Sequence, residues 1–320
     1  MNNSLPLISI ITPAYNRASY LEETIESVLN QDYPHIEYIV LDDGSTDNTR
    51  EVLEKYTGKI IWETHPNMGE TRTVNKGVSM VKGEIIAIVN SDDPLLPGAV
   101  SETVSFMQSH PDILVAYPDW DMIGPNSELL EHVKVPEYDY LYTLKRHHCI
   151  IGPGAFIRQQ AFELAGFRDP EFKYVADFDF WLKLGLYGKF ARIPKILATF
   201  RAHPDSATVS RKGAFMATEH IRLLNKFYSR GNLPPKVFLI RKKALSSAHW
   251  VAASCCGSAY SAALRHYLAA VFYDPIGFIV EFVRIHTGPL LKYCLPPEQY
   301  EAIRGRCRKI AGKNIRQKIQ

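Results

Sequence analysis

The stretch IEYIVLDDGSTD, residues 36–47, decides how the chain is read. Its first six residues, 36–41, are an apolar run short enough for a buried strand. With no spacer, the run meets Asp42-Asp43-Gly44-Ser45, a turn composition that feeds a helix through Tyr56. A strand emptying directly into acidic turn residues and then a helix is one unit of an alternating α/β chain.

The same unit recurs on both sides. Upstream, residues 7–12 form an apolar strand with three Ile residues. Ser19 then opens a helix, with Ser19 and Glu22 spaced as a capping box and Leu21, Ile25, Val28 and Leu29 on one face. Downstream, the pattern predicts a strand at 59–62 and a helix at 69–81 stopped by Gly83. A strand at 84–89 ends at Asn90-Ser91-Asp92-Asp93, and a helix at 97–108 stops before Pro111. Strand and helix in alternation imply parallel strands with helices on the faces of the sheet. Ligands in such sheets bind outside the carboxyl ends of the strands. Pro13-Ala14-Tyr15-Asn16-Arg17, Asp42-Asp43 and Asp92-Asp93 all fall at those ends.

Bulk properties limit the possibilities. The 320 residues are 46% hydrophobic and 22% charged, enough for one large or two modest soluble domains. A net charge of +3 sets up no strong field toward nucleic acid. The N-terminus shows no basic region leading into a long apolar stretch, so no secretory signal is read. The five Cys residues lack CxxC spacing, which argues against a zinc site or disulfide framework and suits a reducing cytosol.

Adjacent carboxylates at a strand end repel one another and need a cation or hydrogen-bond donors. Asp92 and Asp93 have the hard oxygen chemistry for Mg²⁺ or Mn²⁺. Taken alone, either acidic pair is equally readable as a turn with a helix cap. In combination the clusters are specific. The run ISIITPAYNRASYLEETIESVLNQDYPHIEYIVLDDGSTDNT, followed by NMGETRTVNKGVSMVKGEIIAIVNSDD, resembles the nucleotide-binding half of the family 2 glycosyltransferases, over roughly residues 7–205.

That resemblance implies a GT-A fold: a Rossmann-like mixed sheet flanked by helices, with a helical region after it. It implies an inverting enzyme that moves a sugar from a nucleotide-diphosphate sugar, UDP by default, to an acceptor hydroxyl of a glycan or lipid-linked glycan. Pro13, Ala14, Tyr15 and Asn16 would line the nucleoside pocket, and Asp42 and Asp43 would contact base or ribose. Asp92 and Asp93 would be the acidic metal motif, with Asp92 also on the nucleotide side and Asn90 in the place often held by the first Asp. Many relatives carry Arg immediately before Asn75; here it is Val74, leaving Arg72 and Lys76 as candidate phosphate contacts.

Further along, the resemblance puts Gly152-Pro153-Gly154 on the acceptor or donor-sugar side, where glycine lets backbone approach a ligand. In YVADFDFWLKLGLYG, Asp177 keeps the position of the general base, while Ala176 replaces the usual Glu. Trp181 is placed on the sugar side, although its spacing with Phe178 and Leu182 also marks a packed helix face. In TFRAHPDSAT, His203 is expected either to assist the metal or diphosphate or to hold the loop over the site. The His147-His148 pair reads as loop packing or acceptor recognition. Two other readings stay open: a nucleotide-sugar-binding protein without turnover, and a sugar-nucleotide nucleotidyltransferase. The second is disfavoured because no Gly-rich, Lys-containing loop follows the first strand.

After residue 210 strand punctuation ceases. The division expected is a catalytic domain at 1–210 and a helical region at 211–320, with helices at 218–228, 237–248 and 253–271. The tail 304–320 carries Arg304, Arg306, Arg308, Lys309, Lys313, Arg316 and Lys318 and no acid. Beside apolar helices it suits an anionic membrane surface, the expected setting being the cytoplasmic face; a solvated tail is the alternative.

Overall fold

The computed structural model describes residues 5–204, 206, 213–279 and 282. The first half follows the predicted alternation. The order is β1 (Ile8–Ala14), α1 (Ala18–Leu29), β2 (Ile36–Asp42), α2 (Thr49–Glu54), β3 (Ile61–Thr64), α3 (Glu70–Met80), β4 (Ile85–Ile88) and α4 (Ala99–Ser109). Strands β3, β2, β1 and β4 lie side by side and parallel. All seven residues of β1 are buried, as expected of a strand covered on both faces.

The second half adds β5 (Ile113–Ile123), β6 (Leu129–Val133), α5 (Tyr140–Arg146), β7 (Phe156–Arg158), α6 (Gln160–Ala165), α7 (Ala176–Leu184) and β8 (Lys189–Arg201). The sheet is therefore mixed. Short β7 is antiparallel to both β4 and β5, so β5 regains the direction of β4, and β8 runs parallel to β5. The carboxyl ends of β1, β2, β4, β5 and β8 thus open on one edge.

Several local expectations are corrected. The Ser19–Glu22 capping box does not form; Arg17 occupies the cap position without a side-chain cap. Residues of the next loop do that work instead: Ala18 N–H donates to Asp47 Oδ2 at 3.1 Å and Arg17 N–H to Thr49 Oγ1 at 3.0 Å. The third strand begins at Ile61 because Lys59 and Ile60 N–H groups both close back onto the Tyr56 carbonyl. α3 ends before Gly83, whose missing Cβ leaves room for Ser9 Oγ and the Leu7 carbonyl, 2.6 and 2.7 Å from where it would sit.

The C-terminal part is helical: α8 (Gly213–Tyr228), α9 (Pro235–Leu239), α10 (Arg241–Cys255) and α11 (Tyr260–Tyr273). The helix expected at 253–271 is broken at Gly257, whose φ is +55°, and that expected at 237–248 is divided at Ile240. These helices share a core with the first part. Leu144, Phe172, Phe178 and Leu182 pack with Leu223, Phe227, Val237 and Leu245, across the expected boundary at 210. The basic tail lies outside the described residues.

Candidate active site

The site starts at the carboxyl end of β2. Asp43 is buried, and each of its carboxylate oxygens accepts one backbone N–H: Met68 at 2.6 Å and Gly69 at 2.9 Å. Gly69 caps α3 with φ +87°. Asp43 therefore fixes where α3 begins, and the first residue of that helix is Glu70. Its neighbour Asp42 accepts from Ser45 N–H through Oδ1 at 3.0 Å, while Oδ2 is buried without a hydrogen-bond partner. Asn16, at φ +52°, accepts from Thr46 N–H at 2.8 Å and donates its own N–H to Ser45 Oγ. The loops after β1 and β2 are thereby tied together. Pro13 and Ala14 end β1 opposite Leu41 and Asp42, and Tyr15 stands 46% exposed beside them.

The loop after β4 divides its two acids. Asp93 turns inward: Oδ1 accepts from Arg201 N–H at 2.8 Å and Oδ2 from Asn90 Nδ2 at 2.9 Å. Burial and the adjacent Asp92 charge push its carboxyl up, opposed by those donors. Asp92 faces the cleft, with Oδ2 receiving Arg17 Nε at 3.2 Å and lying 2.9 Å from His203 Nε2. His203 is buried, its ring 4.9 Å from Tyr20 and its Nδ1 without a partner. Of the expected metal set, Asp92 Oδ2 and His203 Nε2 lie 2.9 Å apart, while each Asp93 oxygen accepts one donor from the protein. Among the described residues no cluster of three or more acidic, His or Cys side chains forms a cage. A carboxylate and an imidazole fit a divalent ion whose other ligands are diphosphate oxygens and water, a pattern usual for metals bound with phosphates.

Arg201 is the internal strut of this edge. Its guanidinium is 1% exposed, and it donates to the Asp92 and Gly124 carbonyls, Ser127 Oγ and Glu23 Oε2 while lying 4.8 Å from the Tyr20 ring centroid.

Asp177 occupies the first turn of α7, partly buried, its Oδ1 accepting from Phe178 N–H at 2.7 Å. The Glu70 side chain is 57% exposed at its surface, yet desolvation by the surrounding protein, then the charges of Asp177 and Asp92, push its carboxyl up while Arg168 and Arg17 pull it down. Arg168 Nη1 lies 3.6 Å from Glu70, and the Arg168 Nε–H is buried with no acceptor. Asn75 seats the Arg168 backbone through both halves of its amide, at 2.7 and 3.1 Å. Cys149 is the other neighbour: burial first, then the Asp177 charge, raises its thiol.

Three further expectations meet a different environment. Trp181 is 5% exposed and packs in the core against Phe180 and Phe190 rather than on the sugar side. Gly152 and Gly154 admit the protein's own atoms: a Cβ would lie 2.7 Å from Trp120 Nε1 at Gly152 and 2.6 Å from the Ala198 Cβ at Gly154. Pro153 between them is part-exposed. Arg72 is exposed on α3 and Lys76 pairs with Glu63, whereas Arg17 contacts Asp92 and Arg168 contacts Glu70. Val74, where the resemblance led one to look for Arg, is fully buried core. Glu70, Arg168 and Cys149 escaped the sequence reading. Only Glu70 carried a signal, as the acid opening a predicted helix, and that position is more often a response to the helix dipole.

Comparison with known proteins identifies the family and the fold. The profile of glycosyl transferase family 2 matches residues 9–164. An uncharacterized glycosyltransferase of Rickettsia typhi, RT0329, is 31% identical over 217 residues, 65% of this chain and 67% of that protein. Hyaluronan synthase of Pasteurella multocida is 30% identical over 235 residues, 71% of this chain but 24% of that much longer protein. Among solved structures, the mannosyltransferase PcManGT from Pyrobaculum calidifontis, in complex with GDP-Man and Mn²⁺, superposes with a TM-score of 0.59 at 17% identity, covering 98% of this chain and 88% of its own. S. aureus TarS 1-349 with UDP-GlcNAc gives 0.53 at 19% identity, covering 82% and 89%. The chain belongs to glycosyl transferase family 2, and its fold is the GT-A fold.

Proposed function

We propose that the protein is an inverting glycosyltransferase that uses a nucleotide-diphosphate sugar and an acceptor hydroxyl in polysaccharide synthesis. The observation that supports the reading is that Asp92 Oδ2 lies 3.2 Å from Arg17 Nε and 2.9 Å from His203 Nε2, so residues that follow β1, β4 and β8 are in contact, while Glu70, 3.6 Å from Arg168, feels the charges of Asp92 and Asp177. Asp177 takes the proton of the acceptor hydroxyl as the hydroxyl oxygen bonds to the anomeric carbon. Single displacement inverts that carbon, and the nucleotide diphosphate departs on the opposite face. Arg17 and Arg168 offer N–H groups to its growing charge. Asp92 and His203 would hold Mg²⁺ or Mn²⁺, which when bound neutralises diphosphate charge. Tyr15 and Asn16 form the nucleoside side. UDP is the proposed nucleotide, as in the TarS complex, with GDP, as in the PcManGT complex, and dTDP as competitors. The acceptor is a glycan or lipid-linked glycan, met at an anionic membrane surface on the cytoplasmic side.

The test is a donor screen with Mn²⁺, read by released nucleoside diphosphate, on the wild type and Asp177→Asn. General-base removal should lower transfer by about 10²–10⁴-fold with donor affinity nearly unchanged. Near-normal turnover by Asp177→Asn removes the base assignment, and binding without turnover by the wild type removes the enzyme reading.

A further inference from the structure

The last described helix turns an apolar face outward. Tyr260, Leu264, Leu268 and Phe272 recur every four residues along α11, and after the break at Asp274, Ile276 and Ile279 follow, each of the six at least 58% exposed. The opposite side is what seats this segment: Tyr267 and Phe278 pack on Trp250 with ring centroids 5.2 and 5.1 Å away, and Ser246 Oγ donates to the Ala270 carbonyl. From Tyr260 to Tyr273 there is no Asp, Glu or Lys, and Arg265 is the one charge. An apolar stripe of this size on a folded protein marks an interaction surface.

Charge says what covers it. Residues 213–320 hold 17 Lys and Arg against five Asp and Glu, a balance of +12, whereas residues 1–212 hold 20 against 29, a balance of −9, and together they give the net +3 of the chain. A second copy seated face to face would bring two strongly cationic ends together. An anionic bilayer is attracted to the C-terminal third, repels the catalytic part, and offers apolar depth for the stripe. No described helix is long and apolar enough to cross a membrane, so the helix would lie in the surface plane.

We propose that the Tyr260–Ile279 face of α11 and its continuation docks in the interface of an anionic membrane, with the catalytic edge held off the surface by its own negative charge. This gives the lipid-linked acceptor proposed above a physical docking surface. It is scored by binding alone, so its failure leaves the transfer reading standing and the reverse is also true.

The experiment is flotation of the full chain with vesicles of phosphatidylcholine, with and without phosphatidylglycerol. Anionic lipid should raise the bound fraction by about tenfold or more, and added salt should lower it again. The triple variant Leu264→Glu, Leu268→Glu, Phe272→Glu, all at exposed positions, should stay folded by circular dichroism and lose flotation. The proposal is overturned by equal binding to both vesicle types, by no binding to either, or by full binding of the triple variant, which would assign attachment to the tail alone. A dimer in light scattering that the triple variant dissolves, without flotation, would overturn it in favour of a second copy.

Discussion

Replacing Asp43 with Asn separates a scaffold from a ligand contact. The sequence suggested a base or ribose contact, whereas the structure has both carboxylate oxygens accepting backbone N–H groups, from Met68 at 2.6 Å and Gly69 at 2.9 Å, in a buried position. Asparagine keeps one acceptor and turns an NH₂ toward the other N–H. One charge-assisted bond is lost and one buried N–H is left without an acceptor, each worth about 1.5–3 and 1–3 kcal/mol. Destabilisation of about 3 kcal/mol is expected by urea unfolding of the full chain. Because Glu70 follows Gly69 directly, donor affinity measured by calorimetry should fall in the same variant. A stability change below about 0.5 kcal/mol, the ordinary surface value, with donor affinity alone reduced, would refute the reasoning and return Asp43 to the ligand.

Gly154→Ala should destabilise by about 2–4 kcal/mol, since a Cβ there meets Ala198 Cβ at 2.6 Å on a backbone with φ +74°; thermal unfolding checks it, with no substrate needed. Glu70→Gln should leave stability within about 0.5 kcal/mol, because the side chain is 57% exposed and its Arg168 contact is 3.6 Å long. The same variant should lower kcat measurably, and unchanged kcat would remove Glu70 from the site. The buried pair His147 Nε2 and His220 Nδ1, 2.9 Å apart, gives a pH prediction. Burial holds both rings neutral, His147 well below 6.5 and His220 down to about 4. As pH falls below 6.5 the unfolded chain takes up protons that the folded chain refuses, so stability present at pH 7 drains away between about 6.5 and 4, by up to about 1.4 kcal/mol per unit for each ring. His147→Phe should flatten that slope in unfolding titrations from pH 7 to 4.5.

The donor half of the fold was legible because strands buried on both faces read as unbroken apolar runs, and β1 and β2 do. The acids at their ends were legible for the same reason, since the runs stop on them. β5 and β6 were not foreseen, and the reversal that three-residue β7 makes leaves no mark in local periodicity. The tasks of individual acids were hidden because hydrogen-bond partners are distant. Asp43 and Asp93 look like cleft residues until their donors, 25 and 108 positions downstream, are in place. Trp181 shows the opposite error. Its i+3 relation to Phe178 marked a packed face, and that spacing, rather than the sugar-side placement, describes where the ring lies. At Gly152 and Gly154 the missing side chains make space for Trp120 and Ala198, a need set by tertiary packing alone.

The tether between Asp93 and the backbone of Arg201 has a consequence for synthesis. A ribosome releases β1 to β4 well before β8, so the first four strands can pair while the loop after β4 still lacks the amide and guanidinium that order it. A nascent chain ending before β8 therefore carries the aligned strands of a nucleotide-binding sheet with its acidic loop unset. The order of that loop arrives only with the strand Lys189–Arg201.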